Sequence, residues 1–141
     1  MSPPDFEARL VLEATVSPTE DPLKVAAAIG NIAGIDAGAV SLGKGSARLV
    51  TTEVRALEHV RDQLRDRRIR SAARRQMLLN SSGLSTSLML NRQAAAAGVV
   101  AICSTESESP LGPVYLTLSS QKLDDAIDWL APIQSRETLR G

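Results

Sequence analysis

The sequence predicts a single α+β domain whose mixed, largely antiparallel sheet carries its helices mainly on one face. Two observations lead there. Along the 141 residues the apolar positions change repeatedly between a period of two and a period of three to four. A glycine-rich hairpin signal also sits among connections long enough to be helical crossovers, which fits an α+β domain better than a doubly wound parallel sheet. A chain of this length buries roughly 70% of the surface its unfolded form exposes, enough for one core. The domain is expected over 1–133 and a loose tail over 134–141.

Phe6, Ala8, Leu10, Leu12, Ala14 and Val16 alternate with Glu7, Arg9, Glu13 and Thr15, the pattern of a strand with one buried face; Val11 alone breaks it. Residues 17–22 supply hydroxyl caps, acids for the positive end of a helix dipole and a proline tolerated in a first turn, so a helix is expected from near Thr19. Val25, Ile29, Ile32 and Ala33 share one face of it, and Gly34 offers the left-handed C-cap. Residues 37–42 and 47–52 flank Gly43-Lys44-Gly45-Ser46 as a hairpin.

From Glu53 the period changes: Val54, Leu57, Val60 and Leu64 form a helical stripe with Arg55, Glu58, Arg61, Asp62 and Arg65 outward. Continuing that stripe would bury Arg67 or Arg68. A break near Asp66 is therefore expected, with Ile69, Ala72, Ala73 and Met77 opening a new apolar face. After the loop 80–83, residues 84–90 alternate as a strand, Asn91 caps a short helix over 92–97, and Gly98 closes it. Val99 to Cys103 reads as another strand. The prolines of Pro110-Leu111-Gly112-Pro113 delay pairing until Val114 to Leu118, and Leu123, Ala126, Ile127 and Leu130 mark a last helix ended by Pro132.

Sixteen basic and sixteen acidic residues cancel, yet no Asp or Glu occurs between Asp66 and Glu106 while Arg67, Arg68, Arg70, Arg74, Arg75 and Arg92 accumulate. This cationic middle makes a local field that a polyanion feels. Phe6, Tyr115 and Trp129 are the only aromatics, which limits base stacking. Cys103 is the sole cysteine, so an intramolecular disulfide and a cysteine zinc cage are excluded, in keeping with a reducing cytosol. The N-terminus lacks a basic and apolar leader, and no run approaches the ~20 apolar residues that span a bilayer, so a cytoplasmic protein without a membrane partner is expected.

Residues 65–70 with Ala73-Arg74, Leu90-Asn91-Arg92-Gln93-Ala94-Ala95 with Gly98, Glu108-Ser109-Pro110-Leu111-Gly112-Pro113, and Ile127-Asp128-Trp129-Leu130-Ala131-Pro132 follow one another in order. In this combination the chain resembles uncharacterised protein family 0201, a small archaeal family predicted to bind RNA. The resemblance implies a fold similar to the ribosomal protein that binds 5S RNA, and an RNA-binding function by analogy of fold. Relatives are expected to be richer in aromatic residues, and Arg92 stands where a lysine is expected; arginine keeps the charge but offers a planar fork.

Arg67, Arg70 and Arg74 are expected to share one helical face and Arg68 and Arg75 another, offering their guanidinium groups to successive phosphates. Arg65 to Arg75, with Arg92 and Lys44 contributing, is thus the expected RNA-binding set. Lys44 has no Walker or dinucleotide spacing around it, and a plain hairpin turn is the simpler reading. His59, the only histidine, has no second ligand or catalytic partner and reads as a surface residue. Cys103 reads as core, Trp129 as a core anchor or the seal of a homodimer, and Asp124 and Asp125 as complements to a helix dipole. No catalytic residue, metal or cofactor is expected. The alternative is a protein-interaction or assembly module without nucleic-acid binding, in which the arginines meet an acidic protein partner and the sheet edge or an exposed Ala-rich face mediates homo-oligomer formation.

Overall fold

β1 (Arg9–Thr15), β2 (Ser41–Gly43), β3 (Ser46–Thr51), β4 (Ser85–Leu90) and β5 (Val114–Ser119) form one sheet in the order β2-β3-β1-β5-β4. Every pairing is antiparallel, so the sheet is not mixed. The computed structural model describes residues 4–133; the tail expected over 134–141 lies outside the described residues.

The period of two in the strands has one direct product. Leu49, Leu12, Leu116 and Leu88 come into register across β3, β1, β5 and β4 as a single buried row. Against it pack the apolar stripes of α1 (Pro22–Ala33), α2 (Val54–Asp66), α3 (Arg70–Asn80) and α5 (Leu123–Leu130), with α4 (Arg92–Ala96) lying on α1. Each leucine so covered contributes about 1.5–3 kcal/mol. The opposite face of the sheet carries the alternate, mostly polar residues; Val11 is buried even there, because Val50 and Thr117 flank it in register.

α1 starts at Pro22, later than expected, with Asp21 as its N-cap accepting from the Leu23 amide at 2.9 Å. Residues 17–20 close a turn of their own, in which Glu20 accepts from the Ser17 amide at 2.9 Å. Gly34 ends the helix at φ 67°, and a Cβ there would lie 2.7 Å from Cγ of His59. His59 is accordingly not a free surface residue: its ring packs under the end of α1, with Nε2 3.1 Å from the Asn31 carbonyl oxygen.

The strand expected over Val99 to Cys103 is reduced to one bridge between Leu90 and Ile102. An amide side chain from α3 stands where the ladder would continue. Gln76 Oε1 accepts from the Met89 amide at 2.6 Å, while Nε2 donates to the Cys103 carbonyl at 2.8 Å. One residue thereby satisfies a donor and an acceptor that two strands would have given each other.

Candidate functional site

The helix break expected from phase falls where α2 ends. Arg67 is its C-cap, and Arg68 follows in the left-handed region at φ 57°. The Arg68 amide donates to the Arg65 carbonyl at 3.1 Å and the Ile69 amide to the Leu64 carbonyl at 3.0 Å. This paired arrangement is a Schellman motif, in which glycine is the usual left-handed residue. An L side chain in that conformation costs roughly 1–2 kcal/mol. Ile69 then packs against the core and stands as the N-cap of α3. Because the chain leaves the helix at Arg67 and Arg68, the shared face expected for Arg67, Arg70 and Arg74 does not form.

Ion pairing divides the arginines further. Arg65 meets Asp66 at 3.1 Å and Asp62 at 3.5 Å. Arg74 donates from Nη1 to Asp128 at 2.7 Å and to the Ala131 carbonyl at 3.1 Å, placing a cation at the negative end of α5. Arg92 is a correction to the expected set: it is 4% exposed, and Nη1 sits 2.7 Å from Glu20 Oε1 and from the Thr15 carbonyl. Its Nε donates to the Gly112 carbonyl at 3.0 Å. No phosphate reaches it. Lys44 is exposed in the β2–β3 turn at one edge of the sheet, whereas α3 packs on β4 at the other, roughly 19 Å away at ~4.8 Å per strand.

What remains is the α2–α3 corner. The guanidinium groups of Arg67, Arg68, Arg70 and Arg75 have no hydrogen-bond or ion-pair partner among the described residues, and Nε of Arg70 is buried as well as unpaired. Periodicity missed Arg61, whose guanidinium lies 4.8 Å over the Trp129 ring, itself edge-on to Phe6 at 6.0 Å. A half-buried arginine and a half-buried tryptophan at unrelated positions carry no sequence signal of such a contact.

The acids of the 104–113 loop are occupied within it. Glu108 accepts from the Ser104 and Thr105 amides, and Glu106 from the Tyr115 hydroxyl. Burial, then the Glu108 charge, pushes the Cys103 thiol up, away from nucleophilic chemistry. Among the described residues no three His, Cys, Asp or Glu side chains gather as a metal site, and no helix is long and apolar enough to cross a membrane.

The fold and this corner define a small antiparallel α+β protein with a cationic helix–helix elbow on one side of its sheet. The chain is 35% identical to a UPF0201 protein of Metallosphaera sedula over 131 residues, covering 91% of this chain and 90% of that one. It is 34% identical to a UPF0201 protein of Aeropyrum pernix over 138 residues, covering 94% and 88%. A UPF0201 crystal structure from Methanococcus jannaschii superposes with a TM-score of 0.74 at 26% identity, over 90% of this chain and 95% of that one. A DUF54 protein of Methanothermobacter thermautotrophicus shares the fold at a TM-score of 0.63 and 19% identity, over 88% and 95%. No protein-family model matches the chain. The chain belongs to the UPF0201 family, as its motifs indicated.

Proposed function

We propose that this protein is a non-enzymatic RNA-binding protein that holds the phosphate backbone of structured RNA at the α2–α3 corner, through Arg67, Arg68, Arg70 and Arg75. The observation that carries the reading is Arg68 at φ 57°. A side chain kept in a conformation that glycine adopts freely points to a use for the side chain. Four unpaired guanidinium groups within nine residues suit phosphate oxygens, which their planar forks grip in pairs. Backbone rather than base recognition follows from the aromatics: Phe6 and Trp129 are engaged with each other and Arg61, and Tyr115 with Glu106. The family resemblance implies a fold similar to the 5S-RNA-binding ribosomal protein, and that expectation supports the reading only as analogy.

The test is fluorescence anisotropy of a labelled RNA hairpin across a salt series. Four phosphate contacts give a log–log slope of about −3, at ~0.7–0.9 per phosphate. The double charge reversal Arg67→Glu with Arg75→Glu is expected to abolish binding and leave the fold intact. A flat salt response rejects the proposal, and equal affinity for heparin reduces it to non-specific charge attraction.

One observation favours assembly instead. Leu79, 79% exposed, and Leu78 project from α3 close to Arg75 in sequence. If they mediate self-association, sedimentation shows a dimer that Leu79→Ser dissociates, and RNA affinity is absent.

A further inference from the structure

α1, α2, α3 and α5 all pack on the leucine side of the sheet, which leaves the other side without a helical layer. Val11 marks the middle of that open side. It lies on β1, the central strand, in register with Val50 on β3 and Thr117 on β5, and Thr117 is in turn opposite Ser87 on β4. Val50 is 43% exposed, and half-buried Tyr115 and Met89 stand one row along. The wet face of an antiparallel sheet is ordinarily polar. This one has an apolar middle.

The charges of the face are arranged about Val11. Arg9 lies two residues before it and Glu13 two residues after, both exposed and on the same side of β1. About 13 Å of strand separates the two at ~3.3 Å per residue, so they do not meet within one copy. A twofold axis laid in the face along the row Val50, Val11, Thr117 and Ser87 turns a second copy over so that Arg9 of each meets Glu13 of the other. A twofold along β1 instead sets Arg9 on Arg9 and Glu13 on Glu13, so repulsion excludes that arrangement. Under the first axis Tyr115 comes over the partner's Ser119 and Met89 over the partner's Ser85, and no like charges are opposed. We propose that this face binds a second copy of the chain, sheet against sheet, with Val11 on the axis and two Arg9–Glu13 pairs across it. Such a contact is isologous, each copy offering the same surface.

The area suffices. Five strands at ~4.8 Å spacing and about six residues at ~3.3 Å each make the face about 24 by 20 Å, roughly 1,000 Å² over both copies, the lower bound of a specific interface. Arg9 and Arg48 are balanced by Glu13 and by Glu7 just before β1, so the face is neutral and suits its own copy better than a polyanion. The α2–α3 corner and Leu79 belong to the helical layer on the other side, so this dimer covers neither and does not rest on RNA binding.

The test is sedimentation equilibrium of the full chain from micromolar to millimolar concentration. The natural chain is expected to dimerise, and Arg9→Glu and Glu13→Arg each to weaken the dimer about tenfold or more, because each opposes like charges. Mixed together, the two variants are expected to associate as the natural chain does, since each then presents to the other the charge it needs. Glu13→Arg gives up a half-exposed pair with Arg48, which costs little stability. Val50→Lys, which sets two lysines on the axis and leaves Arg48 and Glu13 in place, is the second breaker, and thermal melts check that every variant is folded. A natural chain that stays monomeric, a dimer indifferent to Arg9→Glu and Val50→Lys, or a mixture that does not associate overturns the proposal. So does a dimer that Leu79→Ser alone dissociates, which assigns the contact to α3, or a loss of RNA affinity in Arg9→Glu with the dimer intact, which assigns the face to RNA.

Discussion

Arg92 Nη1 lies 2.7 Å from Oε1 of Glu20, a residue 72 positions earlier, and the same guanidinium also holds the Thr15 and Gly112 carbonyls. Removing one partner of such a buried pair leaves the other charge uncompensated, at a cost of about 3–5 kcal/mol. Arg92→Met is expected to destabilise by that amount in urea unfolding, and Arg92→Met with Glu20→Gln by clearly less.

The same pair makes the fold sensitive to acid. Burial alone raises the Glu20 carboxyl, but the Ser17 amide and the Arg92 guanidinium outweigh it and hold the carboxyl below its ordinary value. A group lowered on folding contributes stability that is complete above its unfolded pKa of about 4.3 and is lost as pH falls through the lower folded value. Urea unfolding across that acid window is expected to show the loss in the natural chain and not in Glu20→Gln.

At the α2–α3 corner, stability and the proposed function pull in opposite directions. Arg68→Gly relieves the left-handed strain and is expected to stabilise the fold by about 1 kcal/mol. It also removes one phosphate contact, so RNA affinity falls and the salt slope shrinks by about 0.7–0.9. A more stable variant with undiminished affinity would show that the corner is not the contact.

Gly34→Ala meets two obstacles, φ 67° and the His59 ring at 2.7 Å. A loss of about 2 kcal/mol or more is expected. Adding His59→Ala recovers the steric part and not the backbone part. Chemical denaturation of the four species should therefore give a coupling energy on the order of 1 kcal/mol.

Tyr115 is the only tyrosine, which makes its ionisation readable by ultraviolet absorbance. The hydrogen bond to Glu106, then burial and the Glu106 charge, push the phenol above its usual value. Its contribution to stability is complete below the ordinary phenol pKa of about 10 and is lost as pH rises through the higher folded value. Glu106→Gln is expected to move the titration back toward that ordinary value.

Local pattern in the sequence carried the strands and helices. β5 and α5 were legible because Val114, Leu116 and Leu118 and then Leu123, Ile127 and Leu130 keep their periods to the end, and the corner was legible because two apolar phases cannot join without a break. Membership of the UPF0201 family was legible from motifs in a fixed order, and relatives matching nine-tenths of the chain bear it out. The site was less legible, for a reason of distance. Nothing near Arg92 in sequence announces Glu20, and nothing near Arg74 announces Asp128, so three of the eight expected contacts were already taken inside the protein: Arg92, Arg74 and Arg65. Val99 to Cys103 has strand composition but loses its place to a side chain of α3, an event that no period records.

That intrusion by Gln76 has a consequence for how the molecule lives among its own copies. An edge strand with free amides and carbonyls is a template on which other chains add, the first step toward fibrils. On β4, Gln76 occupies the Met89 amide, Asn80 the Ser87 carbonyl at 3.0 Å and Ser82 both backbone groups of Ser85. The other margin, β2, is only three residues long and turns at a lysine. Recruitment by strand borrowing is thereby obstructed along β4 and limited to three residues at β2, so the sheet stays the property of one chain.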